Sequence, residues 1–223
     1  MKLLEVKNLT IAFDKTKIID KLNFSVNEGD FICIVGENGC GKSTLLKAIV
    51  GDKPNKAVKY LGIKKNEIGY ISQKSKIDED FPASVEEIVC SGSLNKPSFG
   101  VFFSKATKQK AEEILKNLDI AELKKEHFST LSGGQKQKTL IARALMATDK
   151  LLIMDEPSNN LDQKSRKELY ELLQKLQEKG IAIIMVTHDL DHGNLIGNKI
   201  LSLSANLKFF GSTKEYVERI HHA

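Results

Sequence analysis

The sequence GENGCGKST, from Gly36 to Thr44, has the residue types and the spacing of a loop that holds phosphate. Its glycines let backbone N–H groups turn toward an anion, and the helix predicted to follow presents its positive end to the same anion. We expect Lys42 to reach the β- and γ-phosphates of ATP and Ser43 to ligate Mg²⁺. The expected nucleotide contacts from this loop are Gly36, Glu37, Asn38, Gly39, Cys40, Gly41, Lys42, Ser43 and Thr44.

Two neighbouring carboxylates, Asp155 and Glu156, follow the apolar segment LLIM. The carboxyl end of a buried strand is the edge at which open α/β folds bind ligands. Asp155 can hold Mg²⁺ through water, and Glu156 can polarise a water molecule for attack on the γ-phosphate. The alternative, two exposed acids in a turn, loses weight once the preceding loop is taken to bind a nucleotide.

The segment LSGGQ, from Leu131 to Gln135, opens a predicted helix shortly before the Asp155 strand. Ser132, Gly133 and Gly134 at the start of that helix form a second helix end suited to phosphate. One ATP does not need both of these helix ends from one subunit.

The elements that must position these residues are apolar segments of strand length that alternate with helical patterns. This alternation predicts an α/β fold with a mixed, mostly parallel sheet. Short N-terminal strands at 3–7, 10–13 and 18–26 predict an antiparallel β sub-domain ahead of this core. A helical segment at about 75–147 interrupts the alternation and is interpreted as an inserted α-helical sub-domain, so residues 1–223 form one domain. Helices are predicted at 42–50, at 105–119, from Gly134 to Met146, and after Asp162.

Composition excludes several classes of protein. The chain has 34 basic and 29 acidic residues, a formal net charge of +5, no Trp and four Tyr. The lysines are spread among acids and few aromatic residues are available for base stacking, so a solvated surface is favoured over a nucleic-acid interface. No apolar run approaches the roughly 20 residues of a membrane span, and the N-terminus lacks the pattern of a signal peptide. We therefore expect a soluble, cytoplasmic protein.

With these motifs the sequence resembles the ABC ATPase family over essentially its whole length. In that family GENGCGKST is the Walker A loop, LLIMDEP the Walker B strand and LSGGQ the signature. The resemblance implies that Gln73, in YISQKS, touches Mg²⁺ and lies where a membrane permease docks. It also implies that Ser158–Asp162 is the D-loop and that His188, in VTHD, contacts the γ-phosphate and positions Glu156 and water. A histidine at the end of a surface strand is the alternative for His188 taken alone.

The resemblance further implies a head-to-tail dimer of two identical or two different cassettes. Ser132 of one subunit would complete the ATP site that Lys42 of the other subunit builds. Phe13 stands where the family places an aromatic residue that stacks on adenine, and a strand or core Phe is the alternative. The signature and D-loop residues expected to contact nucleotide across the dimer are Ser132, Gly133, Gly134, Gln135 and Asp162.

Two classes of function remain open from the sequence. The first is the ATP-hydrolysing subunit of a transporter, held at the inner face of the cell membrane by a separate permease and served indirectly by a substrate-binding protein. The second is a soluble single-cassette ATPase, such as a subunit for iron–sulfur cluster assembly. Lys42 and Asp155 lie too close in the sequence for the long coiled coils of the repair and chromosome ATPases.

The cargo of such a transporter is suggested by the segment DEDFPASVEEIVCSG, which resembles the bacterial zinc, manganese and iron uptake ATPases. Phe81, Pro82, Val85 and Gly92 match the pattern of that subfamily. The D-loop SNNLD departs from the Gly-Val-Asp ending that is usual there, so siderophore or cobalamin import and small-molecule export remain alternatives.

Two other features are given little weight. His188 and His192 have the spacing of helical metal ligands, but the role implied for His188 already accounts for it. Cys40 lies in the phosphate loop, where redox control is a weak hypothesis. The three cysteines are odd in number and scattered, which argues against a disulfide framework or a CxxC metal site.

Overall fold

A computed structural model of the chain describes residues 1–13, 16–51, 55–73, 82–95, 103–187, 196–204 and 208–221. These ranges contain nine strands and six α-helices. The strands are β1 (Lys2–Phe13), β2 (Thr16–Asn27), β3 (Phe31–Val35), β4 (Val58–Tyr60), β5 (Ile68–Ile71), β6 (Leu151–Asp155), β7 (Ala182–Val186), β8 (Lys199–Leu203) and β9 (Lys208–Ser212). The helices are α1 (Lys42–Val50), α2 (Val85–Ser91), α3 (Lys105–Asn117), α4 (Gly133–Ala147), α5 (Gln163–Glu178) and α6 (Thr213–His221).

The core sheet has six strands in the order β5-β6-β7-β3-β8-β9. Its neighbouring strands are parallel except for β8 and β9, which pair antiparallel. The prediction of a mixed, mostly parallel sheet is therefore confirmed. Strand β3 lies between β7 and β8, so the loop that follows β3 leaves the middle of the sheet.

The N-terminal sheet has three antiparallel strands in the order β2-β1-β4. The two short strands predicted at 3–7 and 10–13 are one strand, β1, with a shift of register between Val6 and Leu9. Asn8 lies at this irregularity with a φ of 52°, and its N–H donates to Asn23 Oδ1 over 2.9 Å. The polar interruption of the pattern marks a bulge rather than the end of a strand.

The core sheet separates two apolar layers. Phe31, Cys33 and Val35 of β3 belong to the layer with α2–α5, while Ile32 and Ile34 belong to the layer with α1 and the N-terminal sheet. All five residues are buried, as expected for a parallel strand that is covered on both faces. Because apolar layers pack on both faces of the sheet, the strand ends that carry the candidate site are held in place.

Helices α2, α3 and α4 lie between β5 and β6 in the chain and pack into one apolar layer. Ser84 and Glu87 form a capping box before α2, and α1, which was predicted at 42–50, ends at its C-cap Gly51. The bounds of an inserted sub-domain at about 75–147 stay a prediction. In the part of the chain that is described, no helix is both long enough and apolar enough to cross a bilayer.

Candidate functional site

The loop from Gly36 to Gly41 connects β3 to α1 and depends on glycine at both of its ends. Gly36 has a φ of 148° and Gly41 a φ of 99°, a region that L-residues rarely adopt. A Cβ on Gly36 would lie 2.7 Å from Cys40 Sγ, and one on Gly41 would lie 2.6 Å from Ile18 Cγ2. Backbone conformation and close packing therefore both require glycine at these two positions.

The start of α1 is open to an anion. Its N-cap is Gly41, with no side-chain hydrogen bond to the first helical N–H groups, and its first turn contains no acidic residue. Lys42 is 6% exposed, and its Nζ donates to the carbonyl oxygens of Gly36, over 2.8 Å, and Glu37, over 2.9 Å. The helix end and this ammonium group are together positively charged, which is the chemistry that binds a phosphate.

Asp155, at the end of β6, has the properties of a carboxylate that holds a cation. It is 3% exposed, and its Oδ1 is buried without a hydrogen-bond partner among the described residues. Burial raises the pKa of Asp155, and the Glu156 charge acts in the same direction, whereas Ser43, Lys47 and Lys42 oppose the shift. A buried carboxylate oxygen close to a hydroxyl fits the oxygen ligands that Mg²⁺ prefers.

Glu156 is held in a conformation that is uncommon for a residue with a side chain. Its φ is 54°, and its N–H donates to the carbonyl oxygen of Val186 over 3.1 Å, which extends the pairing of β6 with β7 by one residue. Its Oε2 accepts hydrogen bonds from Gln73 Nε2, over 2.7 Å, and from Asn159 Nδ2. The structure thus brings the predicted Gln73 and Glu156 together.

Asn159 was missed in the sequence analysis. It is the fourth residue of a turn that begins at Glu156, since its N–H donates to the carbonyl oxygen of Glu156 over 3.2 Å. Pro157 occupies the second position of this turn, which is where proline is favoured. The spacing Glu-Pro-x-Asn was the available signal, because such a turn returns the fourth side chain toward the first.

The signature residues cap the helix that they open. Ser132 and Gln135 form a reciprocal capping box at the start of α4, and Ser132 is exposed. A Cβ on Gly134 would lie 2.9 Å from Ser165 Oγ, which in turn donates to Asp162 Oδ2 over 2.8 Å. The signature helix therefore packs against the N-terminal end of α5.

The candidate residues fall into two groups. Lys42, Ser43 and Asp155 lie together in the first group. Glu156, which follows Asp155, accepts a hydrogen bond from Gln73. Between described residues, no hydrogen bond or ion pair joins Ser132–Gln135 to Gly36–Thr44.

Several predicted residues lie outside what the structure describes. These are Phe81, His188, His192 and the side chain of Phe13. Thr187, which precedes His188, donates its N–H to the carbonyl oxygen of Ile34 over 3.2 Å, next to the start of the phosphate loop. Over the described ranges, no group of three or more His, Cys, Asp and Glu residues has the arrangement of a metal site.

Comparison with known proteins agrees with this geometry. The model of the ABC transporter family matches residues 19–159, more than half of the chain. The zinc uptake system ATP-binding protein ZurA of Listeria innocua is 35% identical and covers 96% of this chain and 88% of its own length. The manganese transport system ATP-binding protein MntB of Bacillus subtilis is 33% identical, with 94% of this chain and 86% of its own length covered.

Solved structures show the same fold. A metal-chelate type ABC transporter in an inward-facing conformation matches with a TM-score of 0.85 at 31% identity, over 96% of this chain and 85% of that one. The ADP conformation of the cassette MJ1267 matches with a TM-score of 0.84 at 25% identity, over 99% of this chain and 94% of that one. The chain belongs to the ABC transporter family, as an ATP-binding cassette of the kind that hydrolyses ATP to drive transport.

Proposed function

We propose that this chain is the ATP-hydrolysing subunit of a metal-uptake transporter, and that it works as a head-to-tail dimer beneath a separate membrane permease. The assignment of ATP hydrolysis rests on one observation. The residues at the ends of β5 and β6 contact each other. Asp155 keeps a buried oxygen beside the phosphate loop that no described residue bonds, and Glu156 is oriented by the amide of Gln73.

The roles of the residues follow from this arrangement. Lys42 and the N-terminal N–H groups of α1 would bind the phosphates of ATP. Ser43 and Asp155 would hold Mg²⁺, which, when bound, neutralises charge on the β- and γ-phosphates. Because a carboxylate only accepts hydrogen bonds, the amide nitrogen of Gln73 faces Glu156, and its amide oxygen is the atom left for the metal.

Glu156 would accept the proton of the water that attacks the γ-phosphate. Its carboxylate lies directly after the residue that would hold the metal, so base and metal site share one rigid strand end. We propose that His188 approaches the γ-phosphate and that Phe13 stacks on adenine, as the family resemblance implies.

A dimer accounts for the second phosphate-binding helix end. Ser132 is exposed at the start of α4, with Gly133 beside it and no acidic residue in the first turn. We propose that this end and Asp162 complete the ATP site of a second cassette, which is either identical to this chain or different from it.

The names of the relatives favour metal uptake. ZurA is named for zinc, MntB for manganese, and a third relative, from Thermotoga maritima, is 34% identical over 96% of this chain and is named for metal transport. We therefore propose a permease partner, a metal-binding protein that delivers cargo to it, and a location for this chain on the inner face of the cell membrane.

The variant Glu156→Gln tests the hydrolytic assignment. We expect it to bind ATP with wild-type affinity, to hydrolyse it at least tenfold more slowly, and to accumulate as an ATP-bound dimer. Steady-state phosphate release, nucleotide titration and size-exclusion chromatography measure these three properties. Glu171→Gln, an exposed glutamate on α5, is the matched control and should keep wild-type turnover. Wild-type turnover of Glu156→Gln would remove Glu156 as the base.

The cargo is tested with the chain reconstituted in proteoliposomes with candidate permease and binding proteins of the proposed transporter. We expect Zn²⁺ or Mn²⁺ to accumulate inside only when ATP is supplied on the side of this chain, and the Glu156→Gln variant to abolish the uptake. Mass spectrometry of the washed vesicles measures the metal. ATP-driven uptake of cobalamin or of an iron–siderophore complex, with no uptake of free metal ion, would contradict the assignment.

A further inference from the structure

We propose that Asn159 is a positioning residue for ATP hydrolysis, which holds the carboxylate of Glu156 jointly with Gln73. The inference rests on the proposed function, in which Glu156 activates the attacking water. It assigns a task to a D-loop residue for which the motif alone suggested none.

The two amides reach Glu156 from different parts of the fold. Gln73 follows β5 and Asn159 lies in the loop after β6, yet both side chains donate to the same oxygen, Oε2. Two donors on one carboxylate oxygen restrict rotation of the group about its last bond. Hydrogen bonds to an ionised group are stronger than those between neutral groups.

The backbone of the loop fixes Asn159 in place. The N–H of Asn159 donates to the carbonyl oxygen of Glu156, and that of Leu161 to the carbonyl oxygen of Ser158, each over 3.2 Å. Asp162 then accepts the Ser165 N–H over 3.0 Å as the N-cap of α5. The loop is therefore anchored in β6 at one end and in α5 at the other.

This anchoring gives Asn159 a role that Gln73 does not duplicate. Gln73 is expected to contact the metal and to lie where the permease docks, so its amide serves more than one partner. Asn159 is tied to Glu156 by both its backbone and its side chain, within four residues of chain. We infer that Asn159 keeps the base oriented while Gln73 takes part in the other contacts.

The first test compares the kinetics of two loop substitutions. Asn159→Ala removes the donor, and we expect kcat to fall about tenfold, with KM for ATP within twofold of wild type. Asn159→Asp keeps the shape but replaces the donor with a second carboxylate, so its loss of kcat should be larger. Asn160→Asp is the matched control, because it adds the same charge one residue further along the exposed loop. Melting temperatures verify that each variant is folded.

The second test asks whether Asn159 acts through Glu156. In the Glu156→Gln background, Asn159→Ala should change single-turnover hydrolysis by less than twofold, because the base that it positions is already lost. A further tenfold loss in that background would overturn the inference. Wild-type kcat for Asn159→Ala would also overturn it, as would a loss of kcat in Asn160→Asp equal to the loss in Asn159→Asp. Wild-type turnover of Glu156→Gln alone would instead overturn the proposed function on which the inference rests.

Discussion

Asp155 is the residue at which stability and the proposed function are opposed. Its carboxylate is 3% exposed, and its Oδ1 is without a hydrogen-bond partner among the described residues. An unsatisfied buried polar group costs about 1–3 kcal/mol, and a charged one costs more. A folded chain keeps such a group where a ligand compensates the cost, which supports the assignment of Asp155 to the metal site.

We expect Asp155→Asn to stabilise the chain in the absence of nucleotide and Mg²⁺. The free energy of unfolding should rise by about 1 kcal/mol, seen as an increase in Tm of about 2–4 °C. The same variant should need about tenfold more Mg²⁺ for half-maximal ATPase activity, because a ligand or its support is lost. Asp149→Asn removes a charge from an exposed residue and serves as the control. A lower Tm for Asp155→Asn would contradict this account.

The pH dependence of this effect has a definite sign. The pKa of Asp155 is raised by folding, because burial disfavours the charged form, so the folded chain binds this proton more tightly than the unfolded chain. The resulting stability is fully present below the ordinary value of 3.8 and is lost as the pH rises through the folded pKa. The advantage of Asp155→Asn should therefore grow with pH over that window and then level off, which melting curves at a series of pH values measure.

Motif spacing predicted the candidate residues of the site, but not the contacts between them. Lys42, Ser43 and Asp155 were predicted from residue type and from their places at strand and helix ends. The bond from Gln73 to Glu156 joins residues 83 positions apart, and only the pairing of β5 with β6 brings them together. Asn159 could not be assigned from motif composition, because its role depends on the turn that Glu156 opens.

At the scale of elements, the helices were predictable because their signals are local. Ser84, Ser132 and Asp162 cap the helices that they precede, and α1 has its predicted bounds of 42–50, with Gly51 as its C-cap. The apolar core strands β3, β6 and β7 were equally clear, since buried parallel strands are continuous apolar runs.

Short strands and bulges were not predictable. Strands β4 and β5 have three and four residues, too few to show a period of two, and their partners lie far away in the chain. In β1, the polar residues near Asn8 suggested a break between two strands. The structure has one continuous strand there, because Asn8 adopts a left-handed conformation and its N–H donates a hydrogen bond to the Asn23 side chain within the bulge.

The contact between α4 and α5 connects the signature to the loop that carries Asn159. Gly134 leaves room for Ser165, and Ser165 is bonded to the N-cap Asp162. The start of α4 therefore packs against the N-terminal end of α5, where the loop that begins at Glu156 ends.

At the scale of the whole molecule, the two helix ends predicted to bind phosphate belong to different parts of the fold. The end of α1 follows β3 in the middle of the core sheet, while the end of α4 belongs to the helical segment between β5 and β6. The sequence predicted both ends, together with the need for a second subunit. The comparisons support this arrangement through the family, whereas the dimer itself stays a proposal.

We expect Ser132→Arg to leave ATP binding by the monomer unchanged and to block the ATP-induced dimer. A large, positive side chain at this exposed helix start would occupy the space that the nucleotide of the second cassette needs, while Lys42 and the end of α1 stay intact. Size-exclusion chromatography of the Glu156→Gln background with ATP measures the dimer, and a nucleotide titration measures binding.

The matched control is Ser104→Arg. Ser104 is also the exposed N-cap of a helix and accepts the N–H of Thr107 over 3.1 Å, so both substitutions remove a serine cap and add the same charge. Each should cost about 1 kcal/mol of stability, and this equal cost makes the dimer the property that separates them. Equal dimerisation of Ser132→Arg and Ser104→Arg would show that the signature end of α4 does not face a second cassette. If the dimer is lost in Ser132→Arg but not in Ser104→Arg, the signature end of α4 lies at the interface, where it closes the ATP site of the opposing chain.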